Sequence, residues 1–161
     1  MPKNKSRKNI TAAIIGAVVA VVAGIILIFV AQANKEQIVT YEYEENGVTL
    51  SLTFYAKGDR VYKQTTRNIV PYSSLGVKTE AEAREIVDDM LGSSKNINGY
   101  SDTVEYEKDH IIETVVVDYD VVSIDEVKDL VGAYFDGDAS NGVSLSKTAK
   151  LLEESGFKKV E

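Results

Sequence analysis

An acidic pair and a single histidine are the residues of this chain best suited to acid–base chemistry. Asp118 and Asp120 stand two apart in a predicted strand, which places both carboxylates on one face, roughly 7 Å apart. Such a pair suits proton transfer or a bound cation, but acidic residues at strand ends are more commonly just solvated. His110 lies beside a predicted hairpin turn, with no nucleophile placed near it. We therefore assign no catalytic residue.

One loop has the composition of a calcium site but not its spacing. Residues 136–142 are small and acidic. An EF-hand loop counted from Asp136 needs glycine and glutamate where this chain has Asn141 and Lys147. Weak cation binding by this loop stays open. The absence of cysteine and the single histidine exclude thiolate and histidine-rich zinc sites, so the sequence predicts no metal and no cofactor.

Tyrosine is the residue type that most suggests a binding surface. A tyrosine ring offers a flat apolar body with a polar tip, which suits sugars or peptides. Tyrosine is also an ordinary strand-forming residue that packs across strands, and the sequence leaves both interpretations open. Five of the nine tyrosines fall in or beside the first predicted strands: Tyr41, Tyr43, Tyr55, Tyr62 and Tyr72.

An uncharged apolar run at residues 10–31 indicates where in the cell the domain lies. As a helix it spans about 33 Å, close to the thickness of the hydrocarbon core of a bilayer. Its length favours a retained transmembrane anchor, whereas Ala31-Gln32-Ala33 is also an acceptable signal cleavage site that would release a secreted protein. The basic residues before the run favour a cytoplasmic N-terminus. The predicted organisation is a basic cytoplasmic arm (1–9), an anchor or signal segment (10–31), a tether (32–37) and an extracytoplasmic α+β domain (38–161).

The predicted domain is strongly acidic. The chain has 18 basic and 25 acidic residues, and four of the basic ones precede the apolar run, so 14 basic and 25 acidic residues remain. The resulting net charge near −11 repels polyanions and anionic lipid headgroups. Nucleic acid is therefore not expected as a partner.

The first part of the domain has the alternation of an antiparallel meander. Apolar and polar residues alternate on both sides of Asn46-Gly47, a strong hairpin signal, and a second turn follows at Lys57-Gly58-Asp59. A third, more polar strand ends at Pro71 and is expected to have one wet face or to lie at an edge. A second hairpin turns at Lys108-Asp109. Its return strand, residues 111–120, is apolar enough to be central and covered on both sides for part of its length.

Three helices are predicted after the meander. The first begins at Thr79 with a capping box completed by Glu82, and a short second one begins at Ser123. The third is capped by Ser144 or Ser146 and ends at Gly156. The predicted inward residues are Ala83, Ile86, Val87, Met90, Leu91, Val127, Leu130, Val131, Leu145, Ala149, Leu151 and Leu152. The predicted fold class is α+β, a mostly antiparallel sheet of about five strands with about three helices, preceded by one N-terminal transmembrane helix.

Several short motifs occur together in one order: Asn46-Gly47-Val48-Thr49, Lys63-Gln64-Thr65-Thr66, Leu75-Gly76-Val77, Asp118-Tyr119, Leu151-Leu152 and Gly156-Phe157-Lys158. With these motifs the chain resembles the YehR-type family of bacterial lipoproteins of uncharacterised function. The resemblance implies an α+β envelope domain and supplies no catalytic residues. Family members typically carry a lipobox cysteine after the signal, and this chain has no cysteine. Its membrane attachment is therefore expected to be the apolar helix itself.

These features favour a membrane-tethered envelope domain that binds rather than catalyses. The membrane is one expected partner, and an envelope protein or a glycan is another. A first alternative is a hydrolase with a non-obvious site at Asp118 or His110, which requires a pocket that collects these residues. A second is an accessory subunit of a membrane complex, held by the small-residue stripe Gly16, Ala20 and Gly24. The sequence does not determine the oligomeric state.

Overall fold

A computed structural model of the chain describes residues 35–91, 97–123 and 143–160. Within these residues lie one antiparallel sheet of seven strands and two helices. In chain order they are β1 (Glu36–Glu45), β2 (Val48–Lys57), β3 (Arg60–Pro71), α1 (Glu80–Leu91), β4 (Tyr100–Tyr106), β5 (His110–Asp118), β6 (Val143–Ser144), α2 (Leu145–Glu154) and β7 (Lys158–Val160).

The sheet has the strand order β4-β5-β3-β2-β1-β7, with β6 paired to the start of β3. The predicted antiparallel sheet is confirmed, but it has seven strands rather than about five. The two additional strands, β6 and β7, have two and three residues. Segments this short have no alternation for a sequence pattern to reveal.

The hairpin turns lie where the sequence predicts them. Asn46 and Gly47 both have positive φ, at 52° and 79°, as a type I′ turn requires. Of the two alternatives predicted for β3, the wet face is confirmed, because its alternate residues on one side of the sheet are half-buried or exposed. The edge position is wrong, because β3 lies between β2 and β5. The inward polar residues Gln64, Thr66 and Asn68 form hydrogen bonds inside the protein, whereas Lys63, Thr65 and Arg67 lie on the other face. The prediction for β5 is confirmed in part, since β5 lies between β3 and β4 but only its inner face is buried.

The core lies on one face of the sheet, the inner face, against which both helices pack. Alternate residues of β2 point into it, and Phe54 at its centre is fully buried. Ala83 of α1 and Leu152 of α2 belong to the same apolar cluster, which places the helices on one side of the sheet. The inward prediction is wrong for Leu151, which is 37% exposed, and Thr148 of the same helix is buried instead.

Each helix begins at a predicted cap. Thr79 Oγ1 accepts the backbone N–H of Glu82 at 3.3 Å, and Glu82 Oε2 accepts that of Thr79 at 3.2 Å, which confirms the capping box. For α2 the cap is Ser144, whose Oγ accepts the N–H of Lys147. Its end at Gly156, with φ of +91°, is also confirmed.

Asp59, in the turn between β2 and β3, ties that turn to the start of α2. Its Oδ1 accepts the N–H of Ser146 at 2.8 Å, and its Oδ2 accepts the hydroxyl of Ser144 at 2.6 Å. Asp59→Ala is expected to lower the free energy of unfolding by about 1–2 kcal/mol, the usual loss for a helix cap. Urea unfolding monitored by circular dichroism measures this. Asp109→Ala, in the exposed turn of the other hairpin, is the matched control, and an equal loss in both variants would contradict the tie.

Five sequence predictions fall outside the described residues: the basic arm at 1–9, the apolar run at 10–31, the cleavage site at 31–33, the helix beginning at Ser123 and the loop at 136–142. Neither α1 nor α2, the helices of the described part of the chain, has the length and apolar character needed to cross a membrane. The single-pass anchor therefore stays a prediction.

Candidate functional site

The residues suggested for acid–base chemistry, His110 and Asp118, do not lie close together. His110 and Asp118 are the first and last residues of β5, roughly 27 Å apart at about 3.4 Å per residue. His110 Nδ1 lies 2.7 Å from the exposed carboxylate of Asp109, which lowers the pKa of that carboxyl. The two residues named for the hydrolase alternative therefore do not form one site.

The predicted carboxylate pair is also absent as a pair. The strand ends at Asp118 rather than Asp120, and the chain turns at once. Asp118 Oδ1 accepts the backbone N–H of Asp120 at 3.0 Å, while the carboxylate of Asp120 pairs with Arg60. A local hydrogen bond in a turn has replaced the extended geometry on which the prediction depended.

The five tyrosines divide between the two faces of the sheet. Tyr41 and Tyr72 are buried in the core, and Tyr43 packs its ring 5.1 Å from that of Phe157. Only Tyr55 and Tyr62 lie on the other face, which no described element covers and which we call the open face. Packing therefore accounts for three of the five, and two remain available for binding.

The open face is lined with hydroxyl groups. Thr40, Thr53 and Thr65 lie side by side on β1, β2 and β3, with the first two hydroxyl oxygens 3.0 Å apart. The next row along the strands contains Ser51 and Thr114, with the exposed Arg67 between them. None of these side chains is fully buried. Because a hydroxyl both donates and accepts, these rows match a polyhydroxylated ligand.

One corner of the open face holds an aromatic–lysine patch, which we define as Tyr55, Lys57, Tyr62 and Lys63. A β-bulge after Tyr55 inserts Tyr62 as an extra residue, so that Tyr62 and Lys63 both oppose Tyr55. The two rings are 6.4 Å apart, and each has a lysine Nζ 5.3–5.4 Å from its centroid. The bulge is what brings both rings together.

The inner face contains an interior polar cluster that the sequence analysis missed. Asn68 is fully buried and donates from Nδ2 to Glu113 Oε2 at 2.6 Å. Next to this pair, Tyr119 donates to Gln64 Oε1, and Gln64 Nε2 donates to the hydroxyl of Thr66. The cluster separates two apolar groups, since β5 has Ile111 in one and Val115 in the other. Its members are Gln64, Thr66, Asn68, Asp102, Glu113 and Tyr119.

Burial strongly affects the acids of this cluster. It raises the pKa of Glu113 to about 7; the hydrogen bond from Asn68 opposes this rise, and the charge of Asp102 adds to it. Burial also raises the pKa of Asp102. Asp102 Oδ1 and Asn68 Oδ1 are buried and accept no hydrogen bond from the described residues. The cluster therefore contains a carboxyl group whose pKa lies near 7 rather than at its ordinary value of 4.5.

A signal for this cluster existed in the sequence. Counting back from Val70 in steps of two gives Asn68, Thr66 and Gln64 as inward residues of β3. Their partner Glu113 lies 45 residues further along the chain from Asn68, so the pairing needed the strand register. Among the described residues, no three histidine, cysteine, aspartate or glutamate side chains are placed to hold a metal ion together.

The chain is similar to curated bacterial lipoproteins over most of its length. It is 39% identical to the uncharacterised lipoprotein Lin0239 of Listeria innocua, over 84% of this chain and 88% of that protein. It is 37% identical to the uncharacterised lipoprotein Lmo0207 of Listeria monocytogenes, over 83% and 88%. The NMR structure of Escherichia coli YehR shares the fold, with a TM-score of 0.68 at 24% identity, over 80% of this chain and 94% of that one.

A family model described as "Protein of unknown function (DUF1307)" matches residues 37–158. The match runs from Gln37 in β1 to Lys158, the first residue of β7, and includes both helices. The chain is also 25% identical to the uncharacterised lipoprotein YehR of Escherichia coli, over 80% of this chain and 84% of that protein, which confirms the resemblance to the YehR-type family. The chain therefore belongs to the DUF1307 family of bacterial proteins, whose curated relatives are uncharacterised lipoproteins.

Proposed function

We propose that this chain is a membrane-tethered, extracytoplasmic binding module that holds an envelope glycan on the open face of its sheet. The observation that carries this proposal is the uncovered row Thr40, Thr53 and Thr65 with the hydroxyls beside it. These half-buried hydroxyl side chains, at regular strand spacing, offer a sugar chain repeated donors and acceptors. Binding rather than catalysis also fits the separation of His110 from Asp118 along β5.

The lipoprotein relatives support membrane attachment of this domain. In a lipoprotein a lipid on cysteine holds the chain at the membrane, and this chain has no cysteine. Its apolar run at residues 10–31 supplies the alternative, since a spanning helix anchors more firmly than one acyl chain. We assign the run as an uncleaved anchor with the domain outside the cell. The mass of the mature protein tests this assignment, because a chain that begins at Asn34 would overturn it.

Glycan binding is tested by removing hydroxyls without changing side-chain shape. The full chain in detergent is mixed with purified cell-wall sacculi, and the bound fraction is measured after sedimentation. The triple variant Thr53→Val, Thr65→Val and Thr114→Val keeps strand-forming side chains but loses three hydroxyls. We expect its affinity to fall by at least about tenfold, since each lost hydrogen bond is worth about 1 kcal/mol.

Ser73→Ala is the matched control, because Ser73 is an exposed hydroxyl in the turn after β3 and lies away from the open face. It is expected to bind as the wild type does. Circular dichroism verifies that the triple variant remains folded. Absence of saturable wild-type binding, or equal binding by the triple variant, would contradict the proposal.

A further inference from the structure

The aromatic–lysine patch lies at the corner of the domain where the chain arrives from the apolar run. Only residues 32–35 separate that run from the first residue of β1. The five steps from residue 31 to Glu36 reach at most about 18 Å in an extended chain. If the run spans the membrane, as proposed above, the start of β1 lies within that distance of the lipid surface. The end of β2 pairs with the start of β1, so the patch shares this corner.

This corner exposes apolar side chains that the core does not use. Ile38 is 68% exposed and lies opposite Tyr55 in the register of β1 and β2. Val160 of β7 pairs with Thr40, which puts it diagonally next to Ile38, and it is 36% exposed. Together with the two tyrosine rings they form an apolar strip across four strands. Tyrosines beside lysines are typical of protein surfaces at the membrane–water interface, where the ring is partly buried and the ammonium group reaches the headgroups.

Charge is distributed unevenly along the strands of this acidic domain. The corner has four basic residues and four acidic ones, so its formal charge is close to zero: Lys35, Lys57, Arg60 and Lys63 against Glu36, Asp59, Asp118 and Asp120. Glu36 lies 3.7 Å from Lys57, and Asp120 pairs with Arg60. The opposite ends of the strands are acidic, with Glu42, Glu44, Glu45, Glu105 and Glu107. Anionic headgroups are therefore repelled less by the first end than by the second.

We infer that this corner seats on the lipid headgroup layer and holds the sheet upright on the membrane. Ile38 and the two tyrosine rings enter the interface, and the lysines contact lipid phosphates. The successive hydroxyl rows then lie at increasing distances from the membrane, and they remain accessible to the glycan. The inference rests on the proposed membrane tether, and it adds an orientation to that tether.

The absence of cysteine makes a clean test with single labels available. The full chain is reconstituted into vesicles of phosphatidylcholine and phosphatidylglycerol that contain a nitroxide-bearing lipid. Ile38→Cys carries a fluorophore at the corner, and Thr49→Cys carries it near the far end of the same face. We expect lipid quenching at position 38 to be at least about threefold stronger than at position 49.

A second pair of variants tests the charges. In the Ile38→Cys background, Lys57→Gln with Lys63→Gln is expected to reduce quenching. Lys158→Gln with Lys159→Gln, which removes two lysines of β7 opposite Glu42 and Tyr41, is expected to leave it unchanged.

Flotation of the vesicles measures attachment of the chain to the membrane, independently of the orientation of the domain. A chain that does not float overturns the tether and this inference with it, whereas a chain that floats with equal quenching at both positions overturns only the orientation. A saturable change at position 38 on addition of cell-wall fragments, without lipid quenching, would assign the corner to a glycan and also overturn the inference.

Discussion

Replacing Glu113 with glutamine is expected to raise the free energy of unfolding at pH 8 by roughly 3 kcal/mol and to leave it nearly unchanged at pH 4. The pKa of this buried carboxyl is raised to about 7 from an ordinary value of 4.5. Each pKa unit corresponds to about 1.4 kcal/mol of difference between the two protonation states. The native protein therefore loses stability as the carboxyl ionises, and glutamine removes this cost.

The sign follows from proton binding. Between pH 4.5 and about 7 the folded protein retains the Glu113 proton while the unfolded chain has lost it. The free energy of unfolding therefore falls as the pH rises through this window, and the slope from this group ends above it. Chemical unfolding with EDTA present, at intervals between pH 4 and pH 8, measures the slope in both proteins. Burial also raises the pKa of Asp102. The free energy of unfolding of the Glu113→Gln variant is therefore expected to fall with pH as well, but less steeply.

Glu105→Gln is the matched control for this experiment. It removes the same charge from β4, but Glu105 is exposed on the other face of the sheet. Its pH profile is expected to follow that of the wild type. If Glu113→Gln kept the full wild-type slope, the interior polar cluster would not hold a neutral carboxyl.

Phe54→Ala is expected to lower the free energy of unfolding by about 3–5 kcal/mol, the range for removing a buried aromatic ring. Phe54 is fully buried at the centre of β2, and its ring meets that of Tyr41 edge-on at 6.4 Å between centroids. Guanidinium unfolding at pH 7 measures the loss. A loss this large is a substantial fraction of the stability of a small domain.

Thr53→Ala, one residue earlier on the same strand, is the control for the face assignment. Thr53 lies on the open face, where only the contact with Thr40 at 3.0 Å is removed. We expect its loss to stay below about 1 kcal/mol. Similar losses at positions 53 and 54 would mean that the core does not lie on one face of the sheet, and would remove the basis for the open face.

Much of the fold could be predicted because short-range interactions determine it. Positive φ at Asn46 and Gly47 depends on two adjacent residues, and the capping box of α1 depends on Thr79 and Glu82. Alternation along β2 separates inward from outward residues before any partner strand is known. Periodicity was wrong at Leu151, which is exposed rather than inward. It predicted nothing for the short strands β6 and β7, which have too few residues to show a pattern.

The candidate site was less predictable because its contacts join distant segments. Asp118 and Asp120 were expected to share a strand face, but the chain turns after Asp118, and Asp120 pairs with Arg60, sixty residues away. The tyrosines were treated as one group, but alternation along β2 places Tyr55 on the open face, and the bulge places Tyr62 next to it. A bulge inserts one extra residue into one of two paired strands, and no feature of the local sequence predicted it.

By itself, the sequence determined the local elements, the acidic charge, the absence of cysteine and the resemblance to a lipoprotein family, because each depends on residue types or near neighbours. Only the tertiary structure decided what the chemistry-bearing residues do. Strand pairing placed Asn68 against Glu113 and kept that carboxyl buried, and it separated His110 from Asp118. It also left a hydroxyl-lined face open and gathered the aromatic–lysine patch at the corner where the chain enters. These outcomes follow from long-range register, which a sequence pattern with a period of two does not specify.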